Sequence, residues 1–459
     1  MSNDQSRRAF LKRSAALGLA GSATPFVTSL AAIGEAAAAT ATDYKALVCV
    51  FLYGGNDYAN TLPPYDQPSY DLYQAARSNL ALDRASLAAT VLAPSAALAG
   101  GRQYALAPTM APLVPLFSAG KMAVVLNVGT LVMPTTKAQY TAASVKLPPK
   151  LFSHNDQQSY WQASSPEGAS SGWGGRIGDL FQSGNGTATL TCVNASGNAV
   201  FLTGKTAIQY SVSTSGPISL LGNSSTVFGS TTAMSTLRSL MAGSNSNVLA
   251  SEHAKVSKRS LDLYAQVTTA LGGAPAANFP LFPSGNSLAD QLKIVARLIS
   301  VSSELGAKRQ VFFVSLGGFD MHDLLATQHP TQAALVANAM KAFYDTTVAL
   351  GIADKVTTFT GSDFGRTLQS NDDGSDHGWG SMHFVMGGAV NGQKFYGTPP
   401  AIGNNTPDDV GQGRLLPTIA VDQYASTLAG WFGVSASEMP TVLPNIGNYN
   451  PSSWNLGFV

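Results

Sequence analysis

Residues 310–323 read Gln-Val-Phe-Phe-Val-Ser-Leu-Gly-Gly-Phe-Asp-Met-His-Asp. The first seven residues form a short apolar run that ends at two glycines, which is typical of a buried strand in a parallel sheet. Asp320 and His322 follow, and an extended turn would place their side chains on the same side. The stretch therefore predicts a buried strand with reactive groups beyond its carboxyl end.

The rest of the chain repeats this pattern of strands and adds helices. Apolar runs of the same kind occupy residues 46–53, 122–128 and 355–360, and segments with helical periodicity occupy 287–305, 331–350 and 418–432. Buried strands that alternate with amphipathic helices are typical of an α/β fold. We predict a mostly parallel sheet with helices on both faces. Such folds bind ligands beyond the carboxyl ends of the strands.

Residues 180–251 differ from the rest of the chain in composition. They are rich in Ser, Thr, Gly and Asn, contain no acidic residue, and have only Lys205 and Arg238 as basic residues. We predict an insertion in the α/β domain, with short antiparallel strands at 188–193 and 199–203 and helical structure from 233 to 271. An insertion of this kind is either a cap over the site or a solvated lobe, and both interpretations stay open.

The amino terminus has the features of an export signal. Arg7 and Arg8 precede a weakly apolar stretch at 14–33 and four alanines at 36–39. This pattern predicts a twin-arginine signal peptide at residues 1–39, recognised by the Tat translocase, and a mature domain at 40–459. The mature protein would be periplasmic or secreted. No later stretch is apolar for long enough to predict a stable membrane anchor.

Charge and cysteine content exclude several kinds of site. The chain has 27 basic and 26 acidic residues and no basic cluster, so no nucleic-acid partner is expected. Its 2 cysteines, Cys49 and Cys192, are too few for a thiolate metal cluster. They form one disulfide or remain two buried thiols.

Polar residues recur beyond the predicted strands. Asp57 follows a Gly-Gly turn after the first strand, Asp363 follows the strand at 355–360, and His154 and His377 lie in similar polar runs. Carboxylates gathered in one crevice repel one another unless a proton or a cation lies between them. Carboxylates and imidazoles without thiols suit zinc, manganese, iron, magnesium or calcium. A single Asp-His pair would more simply be a structural hydrogen bond, and Asp57 would serve equally well as a helix N-cap.

Taken together, these motifs resemble those of the exported domain-of-unknown-function family 1501. The motifs are Gly-Gly-Asn-Asp at 54–57, Ser-His at 153–154, Gly-Gly-Phe-Asp-Met-His at 317–322, Ser-Asp-Phe-Gly-Arg-Thr at 362–367 and Asp-His-Gly-Trp-Gly at 376–380. That family is grouped with the alkaline-phosphatase and sulfatase-like superfamily, whose members carry a two-metal hydrolytic site. The resemblance implies an alkaline-phosphatase-like α/β fold for residues 40–459.

The resemblance also implies the ligands of two divalent metal ions. One ion would be bound by Asp57 and Asp363, and the other by Asp320, His322 and His377. Phe364 stands where the superfamily has a histidine. Because of this departure, the site is expected to hold two ions, one ion or none.

Further residues receive catalytic or supporting roles from the resemblance. Ser153 would be the nucleophile and His154 a further catalytic residue beside it, although the position of Ser153 also suits a helix N-cap. Arg366 would bind an anionic oxygen. The resemblance also implies residues that support the metal ligands through hydrogen bonds. These residues are Asn60, Asp376 and His383, and Asp376 would orient His377.

These inferences favour an exported metal-dependent hydrolase of phosphate or sulfate esters, acting on a small molecule or a polymer. The alternative is a non-catalytic exported protein that binds cell-envelope polymer or a protein partner. The segment at 180–251 suits a carbohydrate-facing surface as well as it suits an enzyme cap. A flavin or nicotinamide enzyme is not expected, because the chain has no Gly-x-Gly-x-x-Gly turn followed by a ribose-binding acid.

Overall fold

The centre of the protein is a mixed, mostly parallel sheet. The computed structural model describes residues 43–222, 225–244 and 246–459, so the predicted signal peptide at 1–39 lies outside the described residues. The strands are β1 (Lys45–Leu52), β2 (Met122–Gly129), β3 (Cys192–Asn194), β4 (Tyr210–Ser213), β5 (Gly216–Pro217), β6 (Arg309–Leu316), β7 (Val356–Ser362), β8 (Arg366–Ser370), β9 (Ser375–His377), β10 (Ser381–Gly387), β11 (Lys394–Tyr396) and β12 (Ile419–Ala420). The main sheet has the order β11-β2-β10-β7-β1-β6-β3-β4-β5, with β12 beside β2, and β8 and β9 form a separate hairpin.

Strands β6, β1 and β7 lie side by side in this sheet and run in the same direction. β1 pairs in parallel with both neighbours, so that Leu52 lies beside Leu316 on one side and Ser362 on the other. The carboxyl ends of all three strands therefore meet at one edge. The sheet is mixed because β10 runs antiparallel between β7 and β2. The predicted strands at 46–53, 122–128, 310–316 and 355–360 are confirmed as β1, β2, β6 and β7.

Helices cover both faces of the sheet. The longer ones are α1 (Gln67–Arg77), α2 (His154–Ala163), α3 (Trp173–Phe181), α4 (Thr231–Ala242), α5 (Val248–Gly272), α6 (Ser287–Ser300), α7 (Leu325–Ala349) and α8 (Val421–Phe432). Shorter helical turns lie at Tyr58–Thr61, Arg84–Leu87, Val114–Ser118, Lys137–Thr141 and Met439–Val442. The predicted helices at 287–305, 331–350 and 418–432 are confirmed as α6, α7 and α8. None of the helices in the described part of the chain has the length and apolar character needed to cross a membrane.

The two faces of β1 belong to two separate hydrophobic clusters. Val48 and Val50 point into one cluster together with residues of α6 and α7. Leu47, Cys49 and Phe51 point into the other, which includes residues of α2, α3 and α8. A strand that is apolar at every position is expected where both faces of a parallel sheet are covered. Cys49 on β1 and Cys192 on β3 are both buried and free.

Residues 180–251 contribute strands to the main sheet as well as surface structure. The prediction of antiparallel strands at 188–193 and 199–203 is wrong: β3 begins at Cys192 and runs parallel to β6 and β4, and Val200–Leu202 is a 3-10 turn. The pairing with β6 explains the difference, because a strand beside a central parallel strand takes its direction from the sheet. The predicted helical structure is confirmed as α4 and α5.

A buried carboxylate in the first turn of α8 makes stability depend on pH. Asp422 accepts hydrogen bonds from Ser164 Oγ and the Asn445 amide, both at 3.2 Å. Burial raises the pKa of Asp422 to about 6, whereas an unfolded aspartate titrates near about 3.9. Between these pH values the folded state binds more protons than the unfolded state, so stability falls as pH rises through this window.

We therefore expect Asp422→Asn to raise the free energy of unfolding at pH 8 by about 2–3 kcal/mol, since one pKa unit corresponds to about 1.4 kcal/mol. Below about pH 3 the substitution should have little effect, because Asp422 is then protonated in both states. Urea unfolding at several pH values measures this difference. The matched control is Asp290→Asn, in the exposed first turn of α6. A stability difference that does not change with pH would contradict the prediction.

Candidate functional site

The candidate site lies at the carboxyl edge of β1, β6 and β7. The turns after these strands carry Gly54, Asp320 and Asp363. The first residue of α2, His154, reaches the same place, and the β8–β9 hairpin adds His377 from the other side. Sequence-distant segments thus meet at the edge where α/β folds bind ligands.

Three imidazoles and one carboxylate come together at this edge. Nε2 of His377 lies 3.1 Å from Nε2 of His154 and 2.9 Å from Nε2 of His322. The oxygens of Asp320 lie 3.1 to 3.3 Å from the same three nitrogens. Nitrogen ligands held about 2.0–2.1 Å from a tetrahedral zinc ion would be about 3.3 Å apart. His154, Asp320 and His377 offer atoms that all lie within 4.8 Å of one another and could hold a metal ion.

Each of the three imidazoles is held from behind through its other nitrogen. The acceptors are Asp363 Oδ2 for His154 at 2.6 Å, the Phe152 carbonyl for His377 at 2.7 Å, and Asp376 Oδ1 for His322 at 3.2 Å. Carbonyl and ionised carboxylate oxygens only accept hydrogen bonds, so each Nδ1 carries a proton that it donates. In the neutral imidazole this leaves a lone pair on Nε2. The Nε2 lone pair of His377 therefore faces those of His154 and His322, and a proton or a cation is needed between these atoms.

His154, His322, His377 and Asp320 form the cluster, and local charges and burial perturb pKa values within it. The hydrogen bond to Asp363 raises the pKa of His154 above its ordinary value, whereas burial lowers the pKa of His377. Partial burial opposes ionisation of Asp320, yet the hydrogen bond and charge of Arg366 hold its pKa below the ordinary value. At neutral pH the cluster therefore combines an anionic Asp320 with a neutral His377.

The Phe364 ring and Gly54 shape the turns of the site. The Phe364 ring lies 4.8 Å from the rings of both His154 and His377. Gly54 has φ of 114°, and a Cβ there would lie 2.3 Å from the Asp320 amide nitrogen. Only glycine allows this approach, because other residues are strained at positive φ and lack the space. The Gly54 amide also donates to Asp363 Oδ2 at 3.1 Å.

Asp57 is not brought together with the imidazoles. Its two oxygens accept hydrogen bonds from Arg77 at 2.6 Å each, and both side chains are almost completely buried. The chain turns directly into the helix Tyr58–Thr61 after Asp57, which aims the carboxylate toward the end of α1. Asn60 supports this ion pair rather than the imidazoles, since its Oδ1 accepts from Tyr73 and Arg77.

Ser153 and His383 also differ from the roles implied for them. Ser153 is the N-cap residue of α2, and its hydroxyl donates to Asp156 Oδ2 at 3.0 Å rather than to the imidazoles. His383 lies inside the protein on β10, where its ring packs against Trp161 and Tyr424. Burial lowers the pKa of His383 to about 3. His383 is therefore a neutral residue of the core.

Arg366 and Asp376 lie at the site with partners other than those expected. Arg366 is completely buried and donates Nη1 to Asp320 Oδ1 at 2.6 Å and to the Gly54 carbonyl at 3.2 Å. Its Nε and Nη2 donate to the hydroxyl and carbonyl of Ser375. These bonds engage every nitrogen of its guanidinium, so the expected binding of a ligand oxygen has little support. Asp376 holds His322 and not His377.

The sequence analysis did not identify two groups of the site, the Phe152 carbonyl and the Gln158 side chain. The Phe152 carbonyl is a backbone group, so nothing in the side-chain pattern indicates it. Gln158 donates Nε2 to Asp363 Oδ2 at 2.8 Å. It follows His154 by four residues on α2 and thus lies on the same helix face, a spacing that could have indicated it.

Comparison with known proteins identifies the family. Residues 44–437 match the family described as protein of unknown function (DUF1501). The chain belongs to this family. The DUF1501 match includes all four residues of the cluster. No curated protein matches the chain.

One solved structure shows a distant likeness to this DUF1501 protein. It is titled "Crystal structure of Ps i-CgsB in complex with k-i-k-neocarrahexaose", and the two chains are 10% identical. The match covers 89% of this chain and 78% of that chain with a TM-score of 0.32.

Proposed function

We propose that this DUF1501 protein is an exported, metal-dependent hydrolase of phosphate or sulfate esters with an alkaline-phosphatase-like fold. One observation carries the metal-dependent part of the proposal. His154, His322 and His377 each donate Nδ1–H to a protein oxygen, so their Nε2 lone pairs converge beside the Asp320 carboxylate. Imidazoles held in this way are the usual arrangement around a protein-bound metal ion. Export is supported by the paired arginines at residues 7 and 8.

The residues present fit a borderline transition metal. His154, His322, His377 and Asp320 would hold the ion, and an imidazole-rich set suits zinc, manganese or iron better than magnesium or calcium. A divalent ion supplies Lewis-acid polarisation of an ester oxygen when it is bound. Among the residues that the structure describes, one group of three such side chains, His154, Asp320 and His377, meets the geometry for an ion, and Nε2 of His322 lies 2.9 Å from Nε2 of His377. We therefore propose one ion per chain rather than two.

The chain's own residues would fix the orientation of the side chains that hold the ion. Asp363 and Asp376 hold the Nδ1 protons of His154 and His322, and Arg366 orients Asp320. Ser153 is engaged with Asp156. We therefore propose that water, rather than the Ser153 hydroxyl, attacks the ester.

Metal analysis together with an ester panel tests the proposal. Protein exported by its native route is analysed for metal, then loaded with zinc, manganese or iron(II) and assayed on phosphate and sulfate esters. We expect about one ion per chain and turnover of one ester class, with turnover retained in Ser153→Ala. Bound metal without turnover would favour the non-catalytic binding protein. Absence of bound metal in every loading would refute the proposal.

The carboxylate behind His322 provides a sharper test of the arrangement. We expect Asp376→Ala to weaken zinc binding by about 10-fold or more, because residues that orient metal-binding imidazoles typically contribute 10–100-fold to affinity. Titration against a chromophoric chelator measures the affinity. The matched control is Asp323→Ala, which removes an exposed carboxylate one residue after His322. Equal affinities for the two variants would contradict the proposed role of Asp376.

A further inference from the structure

Arg414 is a partly buried arginine beside the cluster, and it forms no ion pair with an acidic side chain in the described part of the chain. Its Nε donates to the His377 carbonyl at 2.7 Å. Its guanidinium lies 4.9 Å from the centre of the Phe152 ring. Phe152 is also the residue whose carbonyl holds Nδ1 of His377. Arg414 is therefore attached to both segments that position His377.

The loop that carries Arg414 is held in place by a buried carboxylate. Asp409 accepts hydrogen bonds from the amides of Asn405, Gly411 and Gly413 at 2.7 to 2.8 Å. The Val410 amide donates to the Arg414 carbonyl at 3.0 Å. A loop closed by these bonds presents its arginine in a defined position, so little conformational entropy is lost when a ligand binds.

Arg414 has more donors left to offer than Arg366, and it is the less buried of the two arginines. The guanidinium group carries five N–H bonds. Nε–H of Arg414 is used by His377, and Nη1 makes only a long contact of 3.4 Å with the Gly411 carbonyl. No protein acceptor contacts Nη2 within the described residues. The buried Arg366, in contrast, uses every nitrogen within the protein.

The charge of the crevice changes sign when a metal ion binds. Asp320, Asp363 and Asp376 outnumber Arg366 and Arg414 by one negative charge, and the imidazoles are neutral in the metal-binding form. A divalent cation reverses this balance to one positive charge. A metal-loaded crevice with an ordered arginine at its side attracts an anion.

We infer that Arg414 binds an oxygen of the tetrahedral oxyanion, phosphate or sulfate, that the substrate ester carries. This inference rests on the proposed function and assigns its anion-binding residue. The planar guanidinium presents parallel N–H groups that match the spacing of oxyanion oxygens. Arg414 is thus the specificity residue that favours anionic over neutral esters.

Inorganic phosphate and inorganic sulfate are the probes for this inference. Calorimetric titration of both into zinc-loaded wild type, Arg414→Met and Arg414→Lys measures the affinity of each protein. We expect Arg414→Met to weaken binding of the preferred anion by about 10-fold or more, as loss of a charge-assisted hydrogen bond typically does. Arg414→Lys should retain part of the affinity because it keeps the charge. For the hydrolysed ester, KM should rise more than kcat falls.

The matched control is Arg84→Met. Arg84 also donates Nε to a backbone carbonyl, that of Tyr65 at 2.9 Å, and lies 4.5 Å from the centre of the Tyr65 ring. Its replacement should leave anion affinity unchanged within about twofold. Zinc affinity is measured for every variant, because Arg414 also contacts His377. If Arg414→Met and Arg414→Lys lose zinc and anion affinity equally, Arg414 only positions His377 and the inference is overturned.

The outcomes separate this inference from the proposed function. If zinc-loaded wild type hydrolyses esters and Arg414→Met binds both anions normally, the inference fails and the proposed function stands. If wild type takes up no metal or turns over no ester, the proposed function fails. Anion binding by that wild-type protein then decides the inference: dependence on Arg414 supports it, and absence of binding overturns it.

Discussion

Replacement of His377 by alanine is expected to lower the affinity for zinc by at least about 100-fold, more than the loss of a residue that only orients a ligand. The reason is the central position of this imidazole. Its Nε2 lies within 3.3 Å of His154, His322 and Asp320, so it is the imidazole that contacts both of the other imidazoles as well as the carboxylate. Competition with a chromophoric chelator measures the affinity, and elemental analysis counts the bound ions.

The control for this variant is His253→Ala, which removes an exposed imidazole from α5. It should bind zinc as the wild type does. Circular dichroism of both variants establishes that the fold is retained. Unchanged zinc affinity in His377→Ala would mean that any bound ion lies elsewhere, and the proposed metal site would have to be abandoned.

Replacement of Asp57 by alanine is expected to reduce the free energy of unfolding by about 3–5 kcal/mol, the usual cost of leaving one partner of a buried ion pair uncompensated. Arg77 would keep its charge at a position with 0% side-chain exposure and lose both of its carboxylate contacts. Both oxygens of Asp57 are used by Arg77 rather than by the imidazoles. Urea unfolding of the wild type and the variant measures the difference.

An exposed ion pair provides the matched control for Asp57. Lys258 and Asp262 on α5 lie 2.6 Å apart, with more than half of each side chain exposed. Asp262→Ala should change stability by less than about 1 kcal/mol, as expected for exposed pairs. If Asp57→Ala were as mild as Asp262→Ala and abolished zinc binding instead, Asp57 would be a metal ligand, as the resemblance first implied.

The buried ion pair also connects the core to the site. Arg77 donates Nη2 to the Thr367 carbonyl at 2.9 Å, and the Thr367 hydroxyl accepts from the Asp376 amide at 3.0 Å. Thr367 follows Arg366 on β8, and the partner strand β9 ends at His377. The pair therefore anchors the hairpin that delivers Arg366, Asp376 and His377. Asp57 supports the site from a distance rather than by contact.

Much of the fold could be predicted because the pattern of apolar residues is local. The runs that became β1, β2 and β6 are apolar at most positions, and this pattern is expected for a strand covered on both faces. The helices α6, α7 and α8 follow from apolar residues at helical spacing. The short strand β3 could not be predicted in the same way. Its three residues take their direction from the neighbouring β6, and no local pattern records that neighbour.

By itself, the sequence determined which polar residues stand at the ends of the strands. Asp320, His322 and Asp363 follow β6 and β7 directly, so parallel strand direction alone brings them to one edge of the sheet. Only the tertiary structure decided which partner each group has. Asp57 turns toward Arg77 and Asp376 toward His322. A hydrogen bond forms only if the donor and acceptor atoms are placed to within a few tenths of an ångström. Turns and packing determine that placement, and they involve segments far apart in the chain.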